Sequence, residues 1–183
     1  MKKFFSIVAL AVAAIAMVSC SKGADPEHTK AELAAAIKAE SVDRLLAIAD
    51  SINAMGEKAD LQDQATAVVS YISAMGGMDK AGEKGSKEEQ IALLKKAIAG
   101  VKNAVAIYDR INKQDAAATK AAFASLAEVK GLEDLKKDIN DMEKGMKELK
   151  DNMGMLDLMV TMAEKGGLDG DAAEPEAEEP AEE

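Results

Sequence analysis

The chain has 183 residues, 33 acidic against 23 basic for a net charge of −10, and only 3% are aromatic. With no basic stripe to neutralise phosphates and few rings to stack on bases, nucleic acid is excluded as a partner, and the same balance argues against a surface lying flat on anionic lipid. A single cysteine, Cys20, excludes an intrachain disulfide, so the domain must hold together through its own core.

The chain opens MKKFFSIVALAVAAIAMVSC. Lys2 and Lys3 form a positive start, and Phe4 to Val18 is a run of fifteen residues that is apolar apart from Ser6. That is the pattern of a secretory signal. The run is too short for a permanent span, which takes roughly 20 residues. Its end, Met17-Val18-Ser19-Cys20, resembles the lipobox of bacterial lipoproteins, with Met17 in place of the usual leucine. The resemblance covers residues 1–20 only. It implies removal of residues 1–19, a diacylglyceryl thioether on Cys20 and acylation of the new amine. Two or three acyl chains anchor durably where one is marginal. Ser21 follows the cysteine, and in Gram-negative lipoproteins this favours the outer membrane, with the periplasmic or the surface face left open.

Without residues 1–19 the chain is 164 residues, with 33 acids, 21 bases and a net charge of −12. Eight of the acids and no base fall in residues 169–183, so the body before them carries only −4. Residues 20–25 read as a lipidated spacer. Asp25-Pro26-Glu27 is a helix start, with a cap, proline at the first helical position and an acid in the first turn. Between Pro26 and Pro175 lie 148 residues without proline, rich in Ala, Lys, Glu, Leu and Met, which read as helix. A first helix runs from Pro26 to about Ala39. Ser41 caps a second, with Val42, Leu45, Ala49, Ile52 and Met55 on one face, and Gly56 ends it. A third carries Leu61, Ala65, Val68, Ile72 and Met75 on one face. Gly76 to Gly85 holds four glycines in ten residues and reads as a loop.

Ser86 with Glu89 fits a capping box. The helix it opens, about 40 Å long at 1.5 Å per residue, carries Ile91, Leu94, Ile98, Val101, Val105 and Tyr108. Asp115 caps a shorter one bearing Ala122, Phe123, Leu126 and Val129, and Gly131 interrupts. From Leu132 to Lys165 a helix of ~50 Å is expected. Its apolar residues, from Leu132 through Ile139, Met142 and Met146 to Val160, alternate steps of 3 and 4, a seam sustained for about four heptads. Gly166-Gly167 ends the body. Residues 168–183 are acidic and proline-containing and are expected to be disordered.

The expected fold is all-α: an antiparallel bundle of about four to six helices over residues 26–167, with the two long amphipathic helices as its spine. The final seam is also long enough to be a dimer interface.

A search for chemistry is nearly empty. His28 is the one histidine and has no partners for acid–base work or zinc. The folded body has no thiol, and Gly76 to Gly85 lacks a phosphate-loop pattern. Neighbouring carboxylates such as Glu88-Glu89 and Glu133-Asp134 read as solvated faces, with Glu133–Lys137 and Glu143–Lys147 as i,i+4 pairs. No cofactor or metal is implied. Six of the eleven methionines fall between Met142 and Met162. Around Met153, Met155, Leu158, Met159 and Met162 the helix is apolar nearly all round, which means core, an interface, or a ligand or soft-metal site. The expected function is a non-enzymatic envelope lipoprotein. It is held to a bilayer through Cys20-linked acyl chains and serves as a helical interaction or structural module, with a protein partner or a second copy meeting the 132–162 helix. The alternative is a carrier or chaperone-like binder of an apolar ligand in the Met-rich groove.

Overall fold

A computed structural model describes residues 26–78 and 86–165, with side chains from Thr29 onward. The expected signal peptide, Cys20 and the expected spacer, residues 79–85 of the glycine-rich stretch, the acidic residues 166–183 and the side chain of His28 lie outside the described residues. Among the described residues there are eight α-helices, two short 3₁₀ turns and no strand.

Helix α1 (Pro26–Lys38) begins at proline, whose ring suits the first turn and removes an amide that would be orphaned there. It ends in a Schellman turn: Ser41 N–H donates to the Ala36 carbonyl and Glu40 N–H to that of Ile37. Glu40 holds the left-handed position of this turn at φ +49, where a non-glycine residue costs about 1 kcal/mol. Ser41 stands at the N-cap of α2 (Val42–Met55), but its hydroxyl makes no capping bond, contrary to expectation.

Gly56, at φ +60, ends α2, and one 3₁₀ turn leads to Asp60. Asp60 caps α3 (Leu61–Gly76) by accepting from Asp63 N–H at 2.8 Å. Helix α3 is the centre of the molecule, with nearly every residue from Asp63 to Ala74 buried. It packs against α1, α2, α4 (Lys87–Gln114) and α5 (Ala116–Ala127). Most of its buried polar groups are hydrogen-bonded, within the helix or to its neighbours. Ser70 donates to the Leu45 carbonyl at 2.8 Å and Thr66 to that of Gln62 at 2.9 Å. Gln64 donates to the Ala59 carbonyl at 2.7 Å and accepts from Arg110 at 2.9 Å.

The capping box at Ser86 and Glu89 is present in full and opens the long helix α4. Helices α3 and α4 run antiparallel, Gln64 meeting Arg110 at one end and Tyr71 meeting Gly100 further along. A Cβ on Gly100 would lie 2.6 Å from Cδ1 of Tyr71. Glycine in mid-helix costs ~1 kcal/mol relative to alanine. It is needed here because the two helices approach too closely for a side chain. Asp115 ends α4 and caps α5, whose Phe123 packs on Tyr108 with ring centroids 5.8 Å apart.

The chain then turns at Gly131, φ +97, whose amide donates to the Glu133 carboxylate at 2.9 Å. Glu133 therefore closes the turn; the expected pairs Glu133–Lys137 and Glu143–Lys147 do not form, and Lys144 meets Glu148 instead at 3.7 Å. The expected single helix from Leu132 is segmented: a 3₁₀ turn at Glu133–Leu135, then α6 (Lys136–Asn140), α7 (Met142–Asp151) and α8 (Met153–Glu164). The breaks are single residues, Asp141 and Asn152, with ψ near zero. Both are weak helix formers, and the Asn152 side chain donates to the Glu148 carbonyl at 2.8 Å, competing with the helical ladder. The seam still marks the inward face. Leu132, Ile139, Met142 and Met146 are buried, and Leu149, Met153, Leu156 and Val160 are half-buried. The all-α bundle therefore stands, but its spine is α3 with α4, not α4 with a continuous last helix, because the last run is segmented.

Candidate functional site

Helices α7 and α8 run antiparallel along α4. Lys95 pairs with Glu164 at 2.6 Å, Lys102 with Asp157 at 2.5 Å, and Lys150 with Asp109. On each side the partners are seven residues apart, so a heptad step along α4 matches a heptad step back along α7–α8. These are the flanking positions of an antiparallel helical seam, where charge sets register and orientation. Each pair is about half exposed and contributes little to stability.

The ladder orients α8. Ala163, Leu156 and Val160 face the body, and a wet strip carries Asp157, Thr161 and Glu164. Met155, Leu158 and Met162 project outward at 62%, 55% and 42% exposure, and they are the exposed large hydrophobics among the described residues. Spaced 3 and 4 apart, they form one stripe. Met153 and Met159 are half-buried at its edges. Of the readings open for this segment, core packing fails for the stripe. Helix α8 comes last in the described chain and meets chiefly α4 and α7, so no other described helix covers its outer side.

A second feature is a cleft of about 430 Å³ at the C-terminal half of α3. Its walls are Ile37 of α1, Leu45 of α2, Ile72 of α3, and Leu135, Ile139 and Met142 of the segmented run. Ser73, Gly76 and Gly77 lie along α3 where larger side chains would fill the space. Glu40 and Asp138 are its charged lining residues among the described residues. No residue of the Met-rich stretch 153–162 lines this cleft.

Two titratable groups are perturbed inside the bundle. The Tyr71 phenol is pushed up to about 12 by burial and by its 2.7 Å hydrogen bond to Asp50. The Asp63 carboxyl is raised by burial and by the negative charge of Asp60, with Lys30 opposing. Asp63 Oδ1 makes no hydrogen bond, and neither does the buried hydroxyl of Thr119. Neither Tyr71 nor Asp63 lines the cleft. Among the described residues no group of three or more His, Cys, Asp or Glu is placed to hold a metal ion, and no helix is long and apolar enough to cross a membrane.

Compared with protein-family models, with the curated proteins and with solved structures, the chain finds no match in any of the three. The functional reading therefore rests on geometry and on the residues themselves.

Sequence reasoning placed the stripe residues on one helix but missed the ladder and the cleft. The ladder had a signal: Lys95, Lys102 and Asp109 repeat at seven, and so do Lys150, Asp157 and Glu164, with opposite charges in reverse order. The cleft had none, because its walls come from four separated stretches of chain.

Proposed function

We propose that this chain is an envelope lipoprotein, anchored by acyl chains on Cys20 and probing its surroundings through α8 as a non-enzymatic helical interaction module. The anchor is supported by the apolar run ending in Met17-Val18-Ser19-Cys20. The interaction role is carried by one observation: Met155, Leu158 and Met162 are displayed in a row on a helix whose other side is stitched to α4. Exposed apolar rows of this kind mark contact surfaces, and flexible thioethers adapt to a partner's relief. Ser21 favours placement at the outer membrane of a Gram-negative cell.

Metabolic labelling with an alkyne-bearing palmitate tests the anchor. Label on the wild-type chain and none on Cys20→Ala is expected; an unlabelled wild type sinks that half. A photo-crosslinker placed at Met155, Leu158 or Met162 in intact cells tests the surface. One discrete adduct, either with another protein or with a second copy, is expected at these positions and none at the equally exposed Lys120. Equal yields at all four sites would refute the interaction role.

A further inference from the structure

We propose that the outward stripe of α8 is a two-fold interface, and that the partner it takes is a second copy of this chain laid antiparallel. This names the occupant of the surface assigned above and rests on that assignment. The helical phase comes first. Lys150, Asp157 and Glu164 reach Asp109, Lys102 and Lys95 of α4, so residues seven apart keep one direction across the joint at Asn152. Asn152 N–H donates to the Glu148 carbonyl at 3.1 Å and Lys165 N–H to that of Thr161 at 3.2 Å, which carries the helical turn through both ends of the segment. Asp151, Leu158 and Lys165 each follow a ladder residue by one position. They therefore share a second direction, turned about 100° from the ladder. With Met155 and Met162 between them, the outward row reads Asp151, Met155, Leu158, Met162, Lys165, and all five are exposed.

That order is complementary to its own reverse. A two-fold axis at Leu158 sets Leu158 against Leu158, Met155 against Met162 of the second copy, and Asp151 against Lys165 of the second copy. A closed dimer requires this self-matching, in which residue i meets j and j meets i. Opposite charges then meet at both ends of the row, whereas a parallel copy would set Asp151 on Asp151 and Lys165 on Lys165. The rim permits the approach. Gly154 and Thr161, between the stripe and the ladder, are uncharged, and a Cβ on Gly154 would meet nothing within 4 Å. Asp157 and Glu164 on that flank are paired with Lys102 and Lys95. Asp151 and Lys165 take no part in the ladder. One helix on one helix is a small contact, of the weak class that buries under roughly 1,200 Å². Anchors on Cys20 would confine both copies to one surface and raise their effective concentration.

The test is cysteine cross-linking of the full chain in intact cells under mild copper–phenanthroline oxidation, with the wild type setting the background from Cys20. Leu158→Cys, on the axis, is expected to give a covalent dimer above that background. Met155→Cys and Met162→Cys, on two differently tagged chains made together, are expected to cross-link to each other more than either does to itself. Antiparallel pairing sets 155 opposite 162, while two copies of 155 stand on the order of 10 Å apart along the helices, beyond disulfide reach. In the Leu158→Cys chain, Asp151→Lys or Lys165→Asp alone is expected to lower the dimer yield about two- to fivefold by setting like charges together. The two changes combined are expected to restore it. The acids of residues 169–183 are the same in every variant, so the recovery reads the contact between copies. No Leu158→Cys dimer above background, Met155→Cys cross-linking to itself as well as to Met162→Cys, or no recovery in the double charge variant each overturns the proposal. If self-cross-links are absent while the photo-crosslinker gives a discrete adduct with a different protein, this proposal falls and the interaction reading stands. If no discrete adduct forms at all, both fall. Every substitution is at an exposed position, so the outcomes report contact and not folding.

Discussion

Helices α3 and α8 are both mostly apolar, and they end up in opposite places. Helix α3 is covered by α1, α2, α4 and α5, and it buries even Asp63, Gln64, Thr66 and Ser70. Helix α8 is the more uniformly hydrophobic to the eye, yet of its twelve residues only Ala163 is fully buried. The difference lies in the neighbours. Helix α3 sits mid-chain, and helices that precede and follow it in the sequence fold back over it. Helix α8 follows a segmented run and meets only one long helix along its length. Apolar content states what a helix can bury; the number of elements that reach it states what it does bury. Small and β-branched residues suit α3, since close helix approach needs them, whereas long flexible methionines need no close-packed neighbour.

The largest test of this contrast removes the ring at the centre of α3. Tyr71→Ala leaves a cavity where a fully buried side chain stood and is expected to cost about 3–5 kcal/mol in denaturant unfolding. The same residue gives the molecule an alkaline limit. Its folded pKa of about 12 lies above the unfolded value of 10.0, so the neutral phenol is favoured in the fold. That contribution is complete below pH 10 and is lost as pH rises through 12. A fall of roughly 1–2 kcal/mol is expected, kept below the full linkage value because Asp50 is solvated. Unfolding curves at intervals across that range would show it, and Tyr71→Phe should remove it.

Gly100→Ala comes next. Its methyl meets the Tyr71 ring at 2.6 Å, and the overpacking outweighs alanine's better helix propensity, for a net loss of about 1–2 kcal/mol. A gain in thermal stability would mean that α3 and α4 part easily, and the centre would not be close-packed.

At the periphery the effects shrink. Lys102→Glu is expected to cost less than about 1 kcal/mol globally while speeding hydrogen exchange of α8 amides. The reversed pair, with Asp157→Lys added, should restore protection, and about 1 M salt should mimic the single variant. Unchanged exchange in every case would mean that apolar packing alone holds α8. Smallest of all, Leu158→Ala should alter stability by under about 0.5 kcal/mol. A larger loss would place Leu158 in a contact that its 55% exposure denies.

Much of the architecture was legible in local chemistry. The starts at Pro26, Ser86 and Asp115, the stop at Gly56 and the turn at Gly131 rest on groups within a few residues of each other, so the chain order alone displays them, although α5 already ends at Ala127, short of Val129. The seam from Leu132 to Val160 likewise named the inward face correctly. Continuity was not legible, because Asp141 and Asn152 break the run by side-chain and propensity effects that apolar spacing overlooks. Neither were the cleft, the Tyr71–Gly100 approach and the outward turn of Met155, Leu158 and Met162. Each depends on which distant segments arrive at the same point.

The amino-acid order by itself determined an all-α fold, the caps at Ser86 and Asp115 and the inward seam, since each depends on period, propensity or a short motif. Only the tertiary structure decided that α3 is the centre and α8 the edge, and that four stretches of chain meet around an apolar cleft. Those are questions of non-local packing, and helical periodicity says which face is apolar without saying how many neighbours will cover it.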